Sequence, residues 1–523
     1  MQIPFLGGAY EGRSSNVSPE TCINLFYEKG ISGESLVGVP GYEIAYGNST
    51  WTPRDAIRGS IAYDNKSFFV KGDKFGTIDN PFGGSSTATN FTELGTLKTR
   101  GGRVSMAHNG VRPGANQQIM IVDGKYGYIW DNSAETFSEI TDTDFTSTDT
   151  VAFIDGYFIF PQKDGSDRFW ITASYDGTSI DPSDFSTAEG WPDPIQTVIV
   201  DNRQVFIFGT ETLEIWFNTG DTDNTFQRFQ GGFKQHGCGA KFTPSRIDNS
   251  IMWLSQNDRG DRQIVRLGEG YMPRVISTPE IDYKMSLFDA VSDAWAYTYQ
   301  SEGHEFYVIN FPTGNKTFAY DASTQMWHER VRCPQETNKW QYEGFTTHLF
   351  SGGEHYFGDQ YGYIWRMDPE LGSFCGQKTT GGNLNRQIIE VIPRERTTAP
   401  ISDEENRTRI SSLQLDMEEG VFGDPDVVLL TDGIASVQNR TAGVNDPEEV
   451  ELDAVYMKYS KNGGHTWTNE TKRDMGNGGQ FFKRVIWRRL GWARNWIFKF
   501  RFYSFRRPVL KGLIVKAYGE RNG

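Results

Sequence analysis

The sequence predicts an all-β chain: a β-propeller of seven blades, with six as the alternative count, followed by a C-terminal antiparallel β-sandwich. Three observations carry this expectation. The pentapeptide Tyr-Gly-Tyr-Ile-Trp occurs at residues 126–130 and again at residues 361–365. It belongs to a series of short aromatic or apolar runs followed by turn residues, beginning near Phe75, Tyr128, Phe169, Leu213, Gln263, Phe318 and Tyr361. Their mean spacing of about 48 residues is close to the period of a four-stranded propeller blade. Between them lie period-two runs, such as VAFIDGYFIF from Val151, TVIVDNRQVFIFG from Thr197 and HEFYVINF from His304, each pairing two strands across a short polar turn.

Residues 1–50 read as an irregular arm that holds first strand pieces in NVSPETCINLFYE and LVGVPGYEIAYG. Residues 51–375 form the propeller. A lone four-stranded sheet with two partly apolar faces cannot shield both, so such sheets stack radially, and the aromatics of each phrase pack between neighbours. Residues 376–399, polar and charged, read as a connector. Residues 400–523 then supply the sandwich strands RISSLQLDME, AVYMKYSKNGG, RVIWRRLG, WIFKFRFYSF and LIVKAYG. In FKFRFY, Phe498, Phe500 and Phe502 alternate with Lys499 and Arg501, which predicts an apolar face turned inward and a basic face turned outward. The acidic stretch 418–453 reads as an inserted hairpin or long loop.

Composition supports the class and narrows the function. Of 523 residues, 57 are Gly and 14% are aromatic, while only 37% are hydrophobic; this suits many short strands and turns better than helices. No run approaches the roughly 18 apolar residues of a membrane helix, and the start MQIPFLGGAYEGRSS lacks a signal-peptide pattern, so secretion and membrane insertion are not expected. The four cysteines, Cys22, Cys238, Cys333 and Cys375, form no C-x-x-C pair, which argues against a zinc site and a disulfide scaffold and fits a reducing compartment. A formal net charge of −15 disfavours broad affinity for nucleic acid.

Several phrases, in this order along the chain, resemble the tail hub proteins of short-tailed bacteriophages, also called packaged-DNA stabilisation proteins. They are NVSPETCINLFYE from Asn16, LVGVPGY from Leu36, GRVSMAHNG from Gly102, GYFIFPQKDGSDRFWIT from Gly156 and FQRFQGGFKQHGCGAKFTPSRIDNSIMWLSQNDRG from Phe226. GYMPRVISTPEID from Gly270, FAYDASTQMWHE from Phe318, KYSKNGGHTWTNE from Lys458 and RVIWRRLGWARNWIFKFRF from Arg484 complete the series. The resemblance implies a propeller joined to a sandwich, and a virion tail protein assembled in the host cytoplasm. It further implies a homohexameric ring below the portal and its adaptor, closing the channel on packaged double-stranded DNA and supporting a needle, tailspikes or fibres. The acidic stretch 418–453 departs from the family by its length, so a partner contact there does not transfer.

The remaining motifs offer no catalysis. SKNGGHTW from Ser460 nearly matches the S-x-D-x-G-x-T-W Asp-box, with Asn462 in the Asp place; Ser460, Asn462, Gly464, Thr466 and Trp467 are expected to lock a structural turn. The seven histidines include no H-E-x-x-H, although His348 and His355 flank a hairpin turn and could face each other. Arg259, Gly260 and Asp261 sit in a turn, and KDGSD from Lys163 lacks the further ligands of a calcium loop. No G-x-S-x-G elbow or phosphate loop occurs. No cofactor and no metal are expected.

One run stands out. No Asp or Glu occurs from Met475 to Gly519, whereas Arg484, Arg488, Arg489, Arg494, Lys499, Arg501, Arg506 and Arg507 are cationic, interleaved with Trp487, Trp492 and Trp496. This predicts a basic surface facing an acidic partner ring or DNA phosphates, with Lys499 and Arg501 pointing outward together. The competing reading is a set of solvated strand positions offset by the acidic insert. A ring of six such acidic chains would repel the DNA backbone from its lumen, which favours quick release. Two other classes fit the composition: a glycan-binding or glycan-cleaving propeller, and a non-viral propeller scaffold.

Overall fold

The computed structural model describes residues 4–14, 16–31, 33–47, 55–78, 91–110, 116–188, 190–221, 225–257, 260, 262–334, 339–380, 383–402, 406–418, 427–428, 434–437, 448–451, 453–476 and 479–519. Among these, seven antiparallel sheets follow one another along the chain between Ile57 and Asp368. The aromatic phrases of the sequence fall on the third strands of successive sheets: Lys74–Ile78, Gly127–Asp131, Arg168–Ile171, Leu213–Asn218, Arg262–Leu267, Lys316–Asp321 and Ile364–Asp368. The repeated pentapeptide therefore marks equivalent places in the second and seventh sheets.

In six sheets two consecutive strands are joined by a two-residue turn whose central residues both have positive φ: Asp64 and Asn65, Asp155 and Gly156, Asn202 and Arg203, Asp248 and Asn249, Glu302 and Gly303, Gly352 and Gly353. That is the type I′ geometry whose twist matches the flanking strands, and it explains the Asp, Asn and Gly written there. Apolar clusters then lie between sheets. Phe68 and Phe75 of the first sheet meet Trp130 of the second, and Phe206 and Phe208 of the fourth meet Trp253 of the fifth. Each fully buried phenylalanine of this kind stabilises by roughly 2–3 kcal/mol. Neighbouring sheets touch all the way round, and Phe345–Ser351 of the seventh lies against Ile57–Tyr63 of the first, where Ser60 Oγ donates to the His348 carbonyl.

The ring is closed by a segment that the sequence places outside it. Gly41–Tyr46 pairs antiparallel with Ile364–Asp368 and is the fourth strand of the seventh sheet. The N-terminal residues are thus woven through the fold, and pairing an N-terminal strand with the last propeller strand ties the two ends of the ring together. The expected connector is likewise mostly strand: Ser373–Thr380 runs parallel to Gly41–Tyr46 and pairs with Asn383–Val391, and Arg394–Thr397 enters the sandwich. Of its charges, Glu390 and Glu395 are paired inside the molecule, and Arg394 and Arg396 are held by backbone carbonyls.

The sandwich has one sheet of Thr471–Asp474, Ala454–Ser460, Asn495–Tyr503 and Arg394–Thr397. The other contains Val485–Ala493, Thr408–Met417, Val509–Gly519, Glu34–Gly38 and Leu25–Lys29. Between them lie Ile410, Leu413, Trp487, Trp496, Phe498, Phe500 and Leu513. The two-residue strand Cys22–Ile23 pairs antiparallel with Arg394–Thr397 and parallel, at Ile23 opposite Glu329, with Met326–Arg330, the last strand of the sixth sheet. One hydrogen-bonded sheet therefore runs from the propeller into the sandwich. Of the acidic stretch, Ile434–Val437 pairs with Glu448–Glu451 as a hairpin, and Val427–Val428 runs beside Asn383–Val391; most of the rest lies outside the described residues.

Candidate functional site: a buried charge seam and an exposed basic face

The eight basic residues singled out in the sequence divide between two environments. Arg484, Arg488, Arg489 and Arg494 are exposed, and Arg506 is half-buried. Lys499 and Arg501 do not point outward: their side chains are 15% and 2% exposed. Their strand, Asn495–Tyr503, is internal, with Ala454–Ser460 on one side and Arg394–Thr397 on the other, and both of its faces are covered. Phe498, Phe500 and Phe502 are fully buried and all three enter the sandwich core, as the alternation predicts. The opposite face meets the propeller, where the Arg501 guanidinium lies over the Trp340 ring at 5.6 Å. Arg507 is also largely buried, donating to the Gly38 and Pro369 carbonyls and pairing with Glu302 at 2.7 Å.

Glu395 is the centre of this covered face. Its carboxylate receives Lys499 at 2.9 Å and Arg501 at 3.0 Å, and Thr21 Oγ1 donates to it. Burial alone would raise this carboxyl; the two cations outweigh it and hold it down at about 2. A second cluster sits where the sixth and seventh sheets meet the sandwich. Arg332 grips Glu390 with two bonds, at 2.6 and 2.7 Å, and Asp359 at 3.1 Å. Asp359 also accepts from the Tyr361 and Tyr363 amides and from Trp365 Nε1. The second copy of the repeated pentapeptide thus hangs on one aspartate at the turn before it, and the first does the same on Asp123, which accepts from the Lys125 and Tyr126 amides and the Tyr128 hydroxyl.

Two further arginines donate to backbone carbonyls. Arg394 donates to the Ile392, Val39 and Gly372 carbonyls, and burial together with the charge of Arg507 lowers it to about 9. Arg396 donates to the Phe5, Gly8 and Thr21 carbonyls. These carbonyls belong to the N-terminal segment and the end of the seventh sheet, so the two guanidiniums bind three parts of the chain together. The sequence reading missed Arg394, Glu395 and Arg396 because consecutive charges imply solvent. The available signal was their Arg-Glu-Arg alternation between Pro393 and Pro400, which on a strand puts the carboxylate on one face and both arginines on the other.

The Asp-box-like turn is closed by side chains. Ser460 Oγ donates to Asn462 Oδ1 at 2.8 Å and accepts from the Gly464 amide at 2.8 Å; Asn462 Oδ1 accepts from the Thr466 amide at 2.9 Å. Trp467 follows, and the ammonium groups of Lys458 and Lys499 lie 5.9 and 5.5 Å from its ring centroid. The turn therefore props one wall of the charge seam.

His348 Nε2 and His355 Nδ1 do face each other, 3.1 Å apart. Burial and the neighbouring imidazole push His348 down to about 3. Asp164 of KDGSD makes a local turn, accepting from the Ser166 amide. Arg259 and Asp261 lie outside the described residues. Among the described residues no group of three or more His, Cys, Asp or Glu side chains is placed to hold a metal. The four cysteines are buried thiols without disulfides.

Two family models match the chain. The one described as "Bacteriophage P22 Gp10, beta-propeller" covers residues 1–372, and the one described as "Bacteriophage P22 Gp10, beta-sandwich" covers residues 393–517. No curated protein matches the sequence. Solved structures of partly similar shape include the extracellular domain of the one component system BT4673 from B. thetaiotaomicron (TM-score 0.41, 8% identity), of which the match covers 63% of this chain and 40% of that one. Streptogramin B lyase (TM-score 0.39, 10% identity) matches over 61% of this chain and 95% of its own. The N-terminal domain of Nup159 (TM-score 0.41, 9% identity) matches over 66% and 98%. With TM-scores this low, these likenesses carry no weight for function.

Proposed function

The chain belongs to the bacteriophage P22 Gp10 family, a family of phage structural proteins, and from that premise we propose that it is the hub of a short tail. In this reading six copies form a ring beneath the portal and its adaptor. The ring closes the channel on packaged DNA, guides its ejection, and anchors the needle, spikes or fibres.

The observation that supports this most is mechanical. Propeller and sandwich share one hydrogen-bonded sheet through Cys22–Ile23, and the seam beside it is filled with paired charges. A subunit that must resist pressure from confined DNA and transmit force between neighbours benefits from having no hinge. Buried ion pairs are weak evidence of net stability, but they define one geometry, because any sliding would strand a charge. The acidity of the chain fits a lumen that holds DNA without gripping it.

The test is to mix the purified chain with its cognate portal–adaptor complex and image the product by negative stain. A six-fold collar is expected; a complex without a collar would rule the reading out. Turnover of a glycan by the purified chain would instead favour an enzyme.

A further inference from the structure

We propose that the outer face of the sandwich sheet built from Val485–Ala493, Thr408–Met417 and Val509–Gly519 is where one copy of this chain docks on an acidic surface of the next copy. This rests on the ring reading above and names the contact that would close the ring.

The face follows from the strand register. Trp492 stands opposite Arg409, and Arg409 opposite Tyr518. The next outward row is Arg488, Ser412 and Lys516, and the one after it is Ile486, Gln414 and Ile514. The alternate positions Leu413, Leu415, Trp487, Leu513 and Val515 fill the core. Trp492 is 44% exposed, Ile514 44% and Tyr518 60%, which is much for large side chains on one face of a sheet. Trp, Tyr and Arg are the side chains that most often dominate protein–protein binding energy, and here they form one row, with cations in the next.

Charge identifies the partner. The face carries Arg409, Arg488 and Lys516, on a chain whose formal net charge is −15. A basic face on an otherwise acidic molecule finds its complement on another copy, in the head-to-tail contact that cyclic rings use. The free side of Val485–Ala493 is a poor alternative. Arg489 has φ 63°, and the register shifts between Ile410 and Ser412 opposite it, which breaks the regular ladder that edge-to-edge strand pairing requires. The face is offered, and the edge is blunted.

The test compares wild type with R488E/K516E and with W492A/Y518A in binding to the cognate portal–adaptor complex. Titration and electron microscopy give affinity per copy and ring closure; K125E, in the second propeller sheet, is the charge control, and melting curves report folding. Wild type and K125E should bind cooperatively and close the ring. The two face variants should melt as wild type, bind as single copies, and lose cooperativity, with copy–copy affinity at least about tenfold weaker. Rings closed normally by both face variants would overturn the proposal. Variants that cannot bind even as single copies would also overturn it, placing the face against the adaptor. If wild type itself forms no ring, the hub reading fails first and this inference with it.

Discussion

The Asn24 carboxamide clasps the backbone of Val331 from both sides: Nδ2 donates to the Val331 carbonyl at 2.8 Å, and Oδ1 accepts from the Val331 amide at 3.1 Å. The same Nδ2 donates to the Pro393 carbonyl at 2.7 Å, so one buried side chain joins the edge of the sixth propeller sheet to the entry of the sandwich. Asn24 has φ 52°, a left-handed conformation that Asn tolerates better than most residues. It sits directly after the Cys22–Ile23 strand, at the point where the two domains become one sheet.

Replacing Asn24 with Ala should therefore uncouple the domains. Three backbone groups lose a partner at a cost of about 1–3 kcal/mol each, so a loss of at least about 3 kcal/mol is expected. Urea unfolding followed by tryptophan fluorescence should show one transition in wild type and two in the variant. A single, barely shifted transition would show that Asn24 is not the clasp.

Arg332→Met should be among the most damaging single changes, because it leaves Glu390 and Asp359 buried without their cation. Breaking a buried pair in this way costs about 3–5 kcal/mol. The double variant R332M/E390M should recover a large part of that loss, since Asp359 keeps two backbone amides and Trp365 Nε1. Denaturant midpoints of the three proteins check the order.

Glu395 gives a pH signature. Its folded-state pKa of about 2 lies below the ordinary value of 4.5, so its contribution is present above pH 4.5 and is lost as pH falls toward 2. Stability should drop over that window by up to about 1.4 kcal/mol per pH unit for this group. Glu395→Gln should be less stable at neutral pH and should show a shallower acid slope over the same range.

His348 acts at a higher pH. An imidazole held near 3, against an ordinary 6.5, is neutral in the fold and protonates on unfolding, so stability is full above pH 6.5 and falls as pH drops below it. His348→Gln should flatten the melting-temperature profile between pH 6.5 and about 4. An unchanged profile would mean that the pair with His355 is charged in the fold.

At the Asp-box-like turn, Asn462→Ala should cost about 1–2 kcal/mol through the lost acceptor of Thr466 N–H, while Asn462→Asp should be tolerated because it keeps that acceptor. Thermal melts of both variants decide it.

Much of the fold was legible because short-range chemistry writes it. The aromatic phrases mark third strands, and the Asp, Asn and Gly pairs mark type I′ turns; both signals sit within a few residues. What escaped was long-range pairing. Nothing local in GYEIAY says that it completes a sheet more than three hundred residues later, opposite Ile364–Asp368. Nor does the alternation in FKFRFY reveal that its basic side will be covered, because Phe-Lys-Phe-Arg-Phe fits an exposed sheet equally well. Burial of Lys499 and Arg501 depends on Glu395, about a hundred residues away, and on the tryptophan wall that faces them. The outer row of Trp492, Arg409 and Tyr518 was hidden for the same reason: its members meet only across three strands.

We propose that propeller and sandwich act as one unhinged body, repeated around a ring. Single-particle cryo-electron microscopy of the chain bound to its cognate portal–adaptor complex tests it most directly. A closed ring in which every copy keeps the Asn24–Val331 clasp and the Glu395 seam is the expected result. A ring whose subunits have parted along that seam, or copies that never meet, would contradict it.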